Sequence, residues 1–307
     1  MSEVDAVFGK PLQPNSAVAI SSPPARNPEP NGPHHKVQFV VEFVGHRSVP
    51  ATVAAALHSP QWFQALGSPE LFAMSPSDQV WQTLTTRTDG SYDSLALAWD
   101  LLSANGQLTG SSANHLLKVA EGFASEIQRR AMPLPPPGDV DRLVKALNEI
   151  RDGLDIGVEV LLVPHGQEFL EREVWLALAE LGFDIGASGF FEFKGPFDSA
   201  PLVTVIPTGG RDSFTLGAVQ QGIRHPGLMI GFNVPTSPNP EFALDAVFRT
   251  ADHLRNKLDA TAFTDDDLPL DPSTKARLQS YLQDGIQALH RVGIEPGSRA
   301  AFKLFGS

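Results

Sequence analysis

The stretch PGLMIGFNVPTSPNPEFALDAVFRTADHLRNKL, Pro226 to Leu258, constrains the fold more than any other part of this chain. Leu228, Ile230, Phe232 and Val234 alternate with Met229, Gly231 and Asn233, the period of a strand with one buried face. A proline-bounded turn comes next. Asn239 then stands as a helix N-cap and Pro240 in the first helical turn, ahead of an amphipathic helix running to Leu258. A buried strand feeding a long amphipathic helix belongs in a sheet with helices packed on it.

The chain has 307 residues, enough for about two ordinary domains. It contains no cysteine, so disulfides, thiolate metal sites and thiol chemistry are excluded. A formal net charge of −12 argues against nucleic acid and against anionic lipid as partners. No apolar run reaches the roughly 18 residues that a membrane span needs. The first residues lack the basic-then-apolar pattern of a signal peptide, so the cytoplasm is the expected location.

Residues 1–35 carry seven prolines and no apolar period, and are expected to be a flexible segment or tether. From Lys36 the pattern changes. Val37 to Val44 reads as a strand, and Val49 to Leu57 as a short helix capped by Ser48. Pro60 and Gly67 interrupt the next stretch, and Glu70 to Met74 is a short strand. Val80–Thr86 and Ser94–Trp99 flank Thr88-Asp89-Gly90-Ser91, which predicts a hairpin. Ser111 or Ser112 opens a helix with Leu116, Val119, Ala120, Phe123 and Ile127 on one stripe. Pro133 to Pro137 separates it from a last helix over Val140 to Ile150.

Residues 153–292 run through the same order. A strand covers Val158–Val163, a helix Glu168–Leu181 closed by Gly182, and strands Phe183–Phe193, Leu202–Ile206 and Gly227–Val234. After the Asn239-Pro240 helix, Asp271 and Pro272 start a final one whose stripe is Leu278, Leu282, Ile286 and Leu289. Proline-rich connectors precede both final helices: Ala131-Met132-Pro133-Leu134-Pro135 and Asp267-Leu268-Pro269-Leu270-Asp271-Pro272. The expected architecture is α+β. It comprises two tandem domains over 36–152 and 153–307, each a mostly antiparallel sheet with helices on one face. Arg299–Ser307 is a short apolar and basic tail, read as an extra strand, a frayed end or a docking peptide for an open sheet face.

The second half resembles the C-terminal, FtsZ-binding domain of the bacterial cell-division protein ZipA, over roughly residues 157–292. The resemblance rests on Leu178–Gly186 (LAELGFDIG), on Ala200–Ile206 (APLVTVI) and on Pro226–Pro235 (PGLMIGFNVP), with the two helices following in order. The first half matches as a more divergent copy. The resemblance implies a split β-α-β type sheet for each of the tandem domains, and a non-catalytic adaptor with a shallow apolar groove on the open sheet face, which takes the short C-terminal peptide of FtsZ. By the same resemblance the groove residues are Ser188, Phe190, Val205, Thr208, Met229, Gly231 and Asn233. The family has a phenylalanine at the position of Gly231, and methionines at those of Ser188 and Thr208. Three large apolar contacts worth about 1.5–3 kcal/mol each are therefore missing, and a weakened or altered ligand preference is expected.

Catalytic signatures are sparse. Gly209-Gly210 lacks the rest of a phosphate loop, and Asp265-Asp266-Asp267 lacks the spacing of a calcium loop. His34-His35 sits in the proline-rich segment; His165, His225, His253 and His290 are isolated in sequence. Trp62, Trp81, Trp99 and Trp175 read as core. No catalytic residue, cofactor or metal is expected, and FtsZ or another division protein is the expected partner, with membrane contact only through a partner. The alternative is a ligand-binding or enzymatic unit with its site between two duplicated domains.

Overall fold

The computed structural model describes residues 3–26, 29–58, 69–86, 90–104, 106–195, 200–210 and 213–306. Pro60, Trp62, Gly67 and the Thr88-Asp89 pair of the expected hairpin turn lie outside them. The chain forms two compact units, one from Met1–Arg26 and Asp155–Gly297, the other from Asn27–Leu154 and Ser298–Ser307.

In chain order, helix α1 (Glu3–Phe8) precedes strand β1 (Gln38–Val44) and a short helix α2 (Ala51–Ala54). Strands β2 (Glu70–Met74), β3 (Trp81–Thr83) and β4 (Ser94–Asp100) come next, then helix α3 (Gly110–Glu126), β5 (Arg130–Leu134) and α4 (Val140–Leu154). The second series is β6 (Gly157–Pro164), α5 (Glu171–Leu181), β7 (Asp184–Ile185), β8 (Phe191–Phe193), β9 (Val203–Pro207), α6 (Leu216–Gln221), β10 (Leu228–Asn233), α7 (Pro240–Leu258), β11 (Ala260–Thr264) and α8 (Pro272–Arg291). Helix α9 (Arg299–Phe305) closes it.

The first sheet has the order β3-β2-β4-β1-β5 and the second β7-β8-β9-β10-β6-β11, with every pairing antiparallel. Each places its first long strand, β1 or β6, between the strand before the long helix and the strand after it. The α+β class agrees with the alternation in the sequence; helices cover one face of the second sheet, whereas the first sheet has α3 on one face and α9 on the other. Val158, Val160 and Leu162 of β6 are at most 2% exposed and face the helices, as do Leu228 and Ile230 of β10. Val174, Leu178 and Leu181 of α5, with Leu244, Val247 and Leu254 of α7, close the core above them.

Local chemistry explains the element ends. Gly182 stops α5 in the left-handed region at φ 95°, where a Cβ would be strained. The Asp271 side chain accepts from the Thr274 N–H at the start of α8, holding its carboxyl below the usual carboxylate pKa. Asn239 and Pro240 do start α7, although the Asn239 side chain makes no cap bond.

Several expectations need correction. Ser48 does not cap a helix; its hydroxyl donates to Asp93, and α2 begins after Pro50. The predicted hairpin does not form, because β2 lies between β3 and β4 and pairs with both. Turn chemistry is local, and a better cross-strand partner from upstream overrides it. Helix α3 is capped by Thr109, not by Ser111 or Ser112. The segment read as a proline separator is partly strand: β5 pairs along β1 as an edge, where a proline costs no ladder bond. Helix α6 and strand β11 were not foreseen.

The N-terminal segment was expected to be a tether, but residues 3–26 pack on the second unit. Phe8 is 6% exposed and stacks on Trp175 at 5.8 Å, with the Arg172 guanidinium over its ring at 4.9 Å. The Asn15 and Ile20 N–H groups donate to the carbonyls of Glu180 and Leu181. Prolines do not prevent this docking, since these contacts use the other residues.

The segment after Gly297 was assigned to the second domain, as strand, frayed end or docking peptide. It forms α9, capped by the Ser298 hydroxyl, and belongs to the first unit. Lys303 Nζ lies 3.0 Å from Glu70 Oε1 and 2.9 Å from Asp100 Oδ1; Arg299 Nη2 lies 3.3 Å from Glu70 Oε2. The fully buried Gln38 amide donates to the same two carboxylates. Burial opposes ionisation of Glu70, but the Gln38 and Lys303 hydrogen bonds and the Lys303 and Arg299 charges outweigh it, so its pKa is lowered. For His34, burial lowers the pKa, with Arg299 and Lys303 adding to the effect against Glu29.

Both shifts have one sign. A carboxylate with a depressed folded pKa contributes stability above its unfolded value and loses it as pH falls through the folded value; a histidine with a depressed pKa is likewise less stable once the unfolded chain protonates more readily. We expect α9 to loosen on acidification, first below about pH 6.5, where the histidine of the unfolded chain takes up its proton, and further below about pH 4.5 as Glu70 is protonated. Amide exchange over residues 299–305 should rise before that of β1, and Lys303→Met should flatten this pH dependence. Equal acceleration in both segments would contradict the coupling.

Candidate functional site

The face of the second sheet turned away from its helices carries a shallow groove of about 390 Å³, lined by Asp155, Gly157, Glu159, Thr204, Ile206, Met229, Gly231, Phe232 and Asn233. Register explains its character. Ile206 pairs with Met229, Met229 with Leu161, and Leu161 with Phe263, so four apolar side chains form one row across β9, β10, β6 and β11. All four are half-buried rather than core. The next row, Thr204, Gly231 and Glu159, is polar. Below it Asn233 pairs with Gly157 and donates to Asp155 at 2.6 Å.

Of the residues expected at the groove, Met229, Gly231 and Asn233 line it. Val205 does not: it is fully buried opposite Ile230 on the helix side, because alternation along β9 turns Thr204 and Ile206 outward instead. Ser188 is exposed and Phe190 half-buried in the turn between β7 and β8, outside the groove. Thr208 lies past the end of β9 and is not part of the lining. The reading missed Ile206, Leu161 and Phe263. Alternation along Val158–Val163 already put Leu161 with Glu159, but cross-strand register was needed to set it beside Met229.

Gly231 shapes the floor. A Cβ built on it would sit 2.7 Å from the Val158 carbonyl oxygen and 3.2 Å from Glu159 Cγ. A side chain there must push β10 from β6. Gly231→Ala is expected to cost about 1–3 kcal/mol in urea denaturation, and an unchanged midpoint would contradict that close approach.

Glu171 is fully buried and accepts from the Thr215 N–H at 2.7 Å and Trp175 Nε1 at 3.2 Å, while His225 Nε2 lies 2.9 Å from its other oxygen. His225 is 1% exposed beneath Phe214, so this carboxylate–imidazole pair is sealed from substrate. His165 is bound by Asp259 and Thr261. Among the described residues, no group of three or more His, Cys, Asp or Glu side chains is placed to hold a metal ion, and no helix is long and apolar enough to cross a membrane.

The second unit is thus an α+β domain with helices on one side of an antiparallel sheet and a shallow, partly apolar groove on the other. Residues 156–281 match the family described as ZipA, C-terminal FtsZ-binding domain, and the match lies wholly within that unit. No curated protein matches the chain.

Proposed function

We propose that this chain is a non-catalytic cell-division adaptor that takes the C-terminal peptide of FtsZ on the open sheet face of its second unit. The observation that carries the reading is the row Ile206, Met229, Leu161 and Phe263, half-buried on the side of the sheet that helices leave uncovered. Apolar side chains kept half in water by a rigid sheet suit a peptide that brings its own apolar residues. The reading has the protein working in the cytoplasm and touching membranes only through a partner.

The first unit is read as a duplicated copy of the second. Strands β2-β4-β1-β5 repeat the spatial order of β9-β10-β6-β11, each with a helix after its first strand, a long helix before its last and a final helix beyond. Titrating the FtsZ C-terminal peptide into the full chain tests the reading. Saturable binding that weakens about tenfold with Leu161→Ala supports it; no binding at millimolar peptide rejects FtsZ as the ligand.

A further inference from the structure

The two sheets can be laid on one another by the register of their first strands. The pairs Gln38–Asp100, Val40–Ala98 and Glu42–Ala96 then correspond to Gly157–Asn233, Glu159–Gly231 and Leu161–Met229. The neighbouring strands agree: Ala98–Glu70 and Ala96–Phe72 fall on Gly231–Thr204 and Met229–Ile206, and Glu42–Met132 on Leu161–Phe263. Both outer faces therefore have a small residue at their centre, Ala98 or Gly231, with one carboxylate beside it, Glu70 or Glu159.

The first face is already occupied. Val40, Phe72, Ala96 and Ala98 are at most 1% exposed, with Trp81 packed against them. Helix α9 brings two cations to this face. Lys303 bridges Glu70 and Asp100, and Arg299 reaches Glu70 while its guanidinium lies 5.5 Å from the centre of the Phe72 ring. Charge meets carboxylate beside the small residue, and the long side chain lies over the apolar position next to it.

The second face has its carboxylate on the other side of the small residue: Glu159 falls on Val40, while Glu70 and Asp100 fall on Thr204 and Asn233. Ile206 stands where Phe72 stands, and the apolar row continues through Met229, Leu161 and Phe263. Glu159 and Asp155 are exposed in the groove and have no cationic partner among the described residues, whereas Glu192 on the same face is neutralised by Lys194 at 2.6 Å. A purely apolar peptide would leave both carboxylates to be partly desolvated without compensation, which costs affinity.

We propose that the occupant of this groove is a peptide that sets a lysine or arginine against Glu159 over Gly231, beside an apolar side chain on the Ile206–Met229 row, as α9 does on the first sheet. This rests on the sheet-face reading above and names the chemistry its ligand must carry.

The test uses the full chain and two fluorescent probes: the FtsZ C-terminal peptide and a synthetic peptide of residues 298–307. Each is made also with its lysines and arginines changed to glutamine, and all are titrated at low and high salt. Glu159 is exposed, so its variants should fold. We expect Glu159→Gln to weaken a binding probe about fivefold and Glu159→Lys more than about twentyfold, both effects shrinking at high salt and vanishing with the glutamine peptide. FtsZ peptide binding that Glu159→Lys leaves unchanged overturns the cationic contact and leaves the FtsZ reading standing. Charge-dependent binding of the 298–307 peptide alone overturns the FtsZ reading and supports the contact. Binding of neither probe overturns both.

Discussion

Replacing Glu171 by alanine is expected to lower the stability of the second unit by about 3–5 kcal/mol, the cost of removing the shared acceptor of a largely buried hydrogen-bond network. Three donors converge on this one carboxylate: Thr215 N–H, Trp175 Nε1 and the His225 ring. Alanine strands the Trp175 and His225 donors in the core, where Trp175 is 3% exposed and Glu171 and His225 at most 1%. The damage should spread along packed rings, since Trp175 lies 5.0 Å from Phe191 and Phe191 5.1 Å from Phe214. Glu171→Gln keeps the one oxygen that accepts from both Thr215 and Trp175, changing only the atom that faces His225, and should cost less than half as much. Chemical denaturation followed by tryptophan fluorescence checks both, and equal losses would show that packing, rather than hydrogen bonding, governs the site.

Met229→Glu is expected to weaken the FtsZ peptide by about a hundredfold or more while leaving the fold intact. Met229 is half-buried at the middle of the outer row, between Ile206 and Leu161. Losing an apolar contact there accounts for about 1.5–3 kcal/mol, and desolvating a new carboxylate against the peptide adds to it. The new charge also stands near Glu159 and Asp155 in the same groove. Isothermal titration gives the affinity and a thermal melt the stability. Loss of binding with an unchanged melt locates the contact on this face, and retained binding removes the face from the proposal.

Much of the second unit was legible in the chain. Alternation identified the inward residues of β10, Gly182 marked the end of α5, and Asp271-Pro272 the start of α8, because each is a local rule of backbone and burial. Element bounds failed where two signals competed. Phe169 and Leu170, read as helix, form a short ladder with His225 and Arg224, contacts more than fifty residues away in sequence. The prolines of residues 1–35 hid Phe8 and Ile20, whose burial depends on a surface formed more than 140 residues later.

The groove divides along the same line. Period-two alternation alone turns Met229, Gly231 and Asn233 outward from β10, since neighbouring side chains of a strand point to opposite faces. The same rule, applied to β9, would have excluded Val205 and chosen Ile206. Alternation says nothing about which strands are neighbours. Sheet order and register put Ile206, Met229, Leu161 and Phe263 in one row, and set Glu159 beside Gly231. Nor does a basic, apolar last segment reveal its own partner: Lys303 meets Asp100 and Glu70 only because the first sheet brings those carboxylates together. Local physics is written in the order of residues. Pairing between distant strands, and the charges it assembles, is a property of the folded chain.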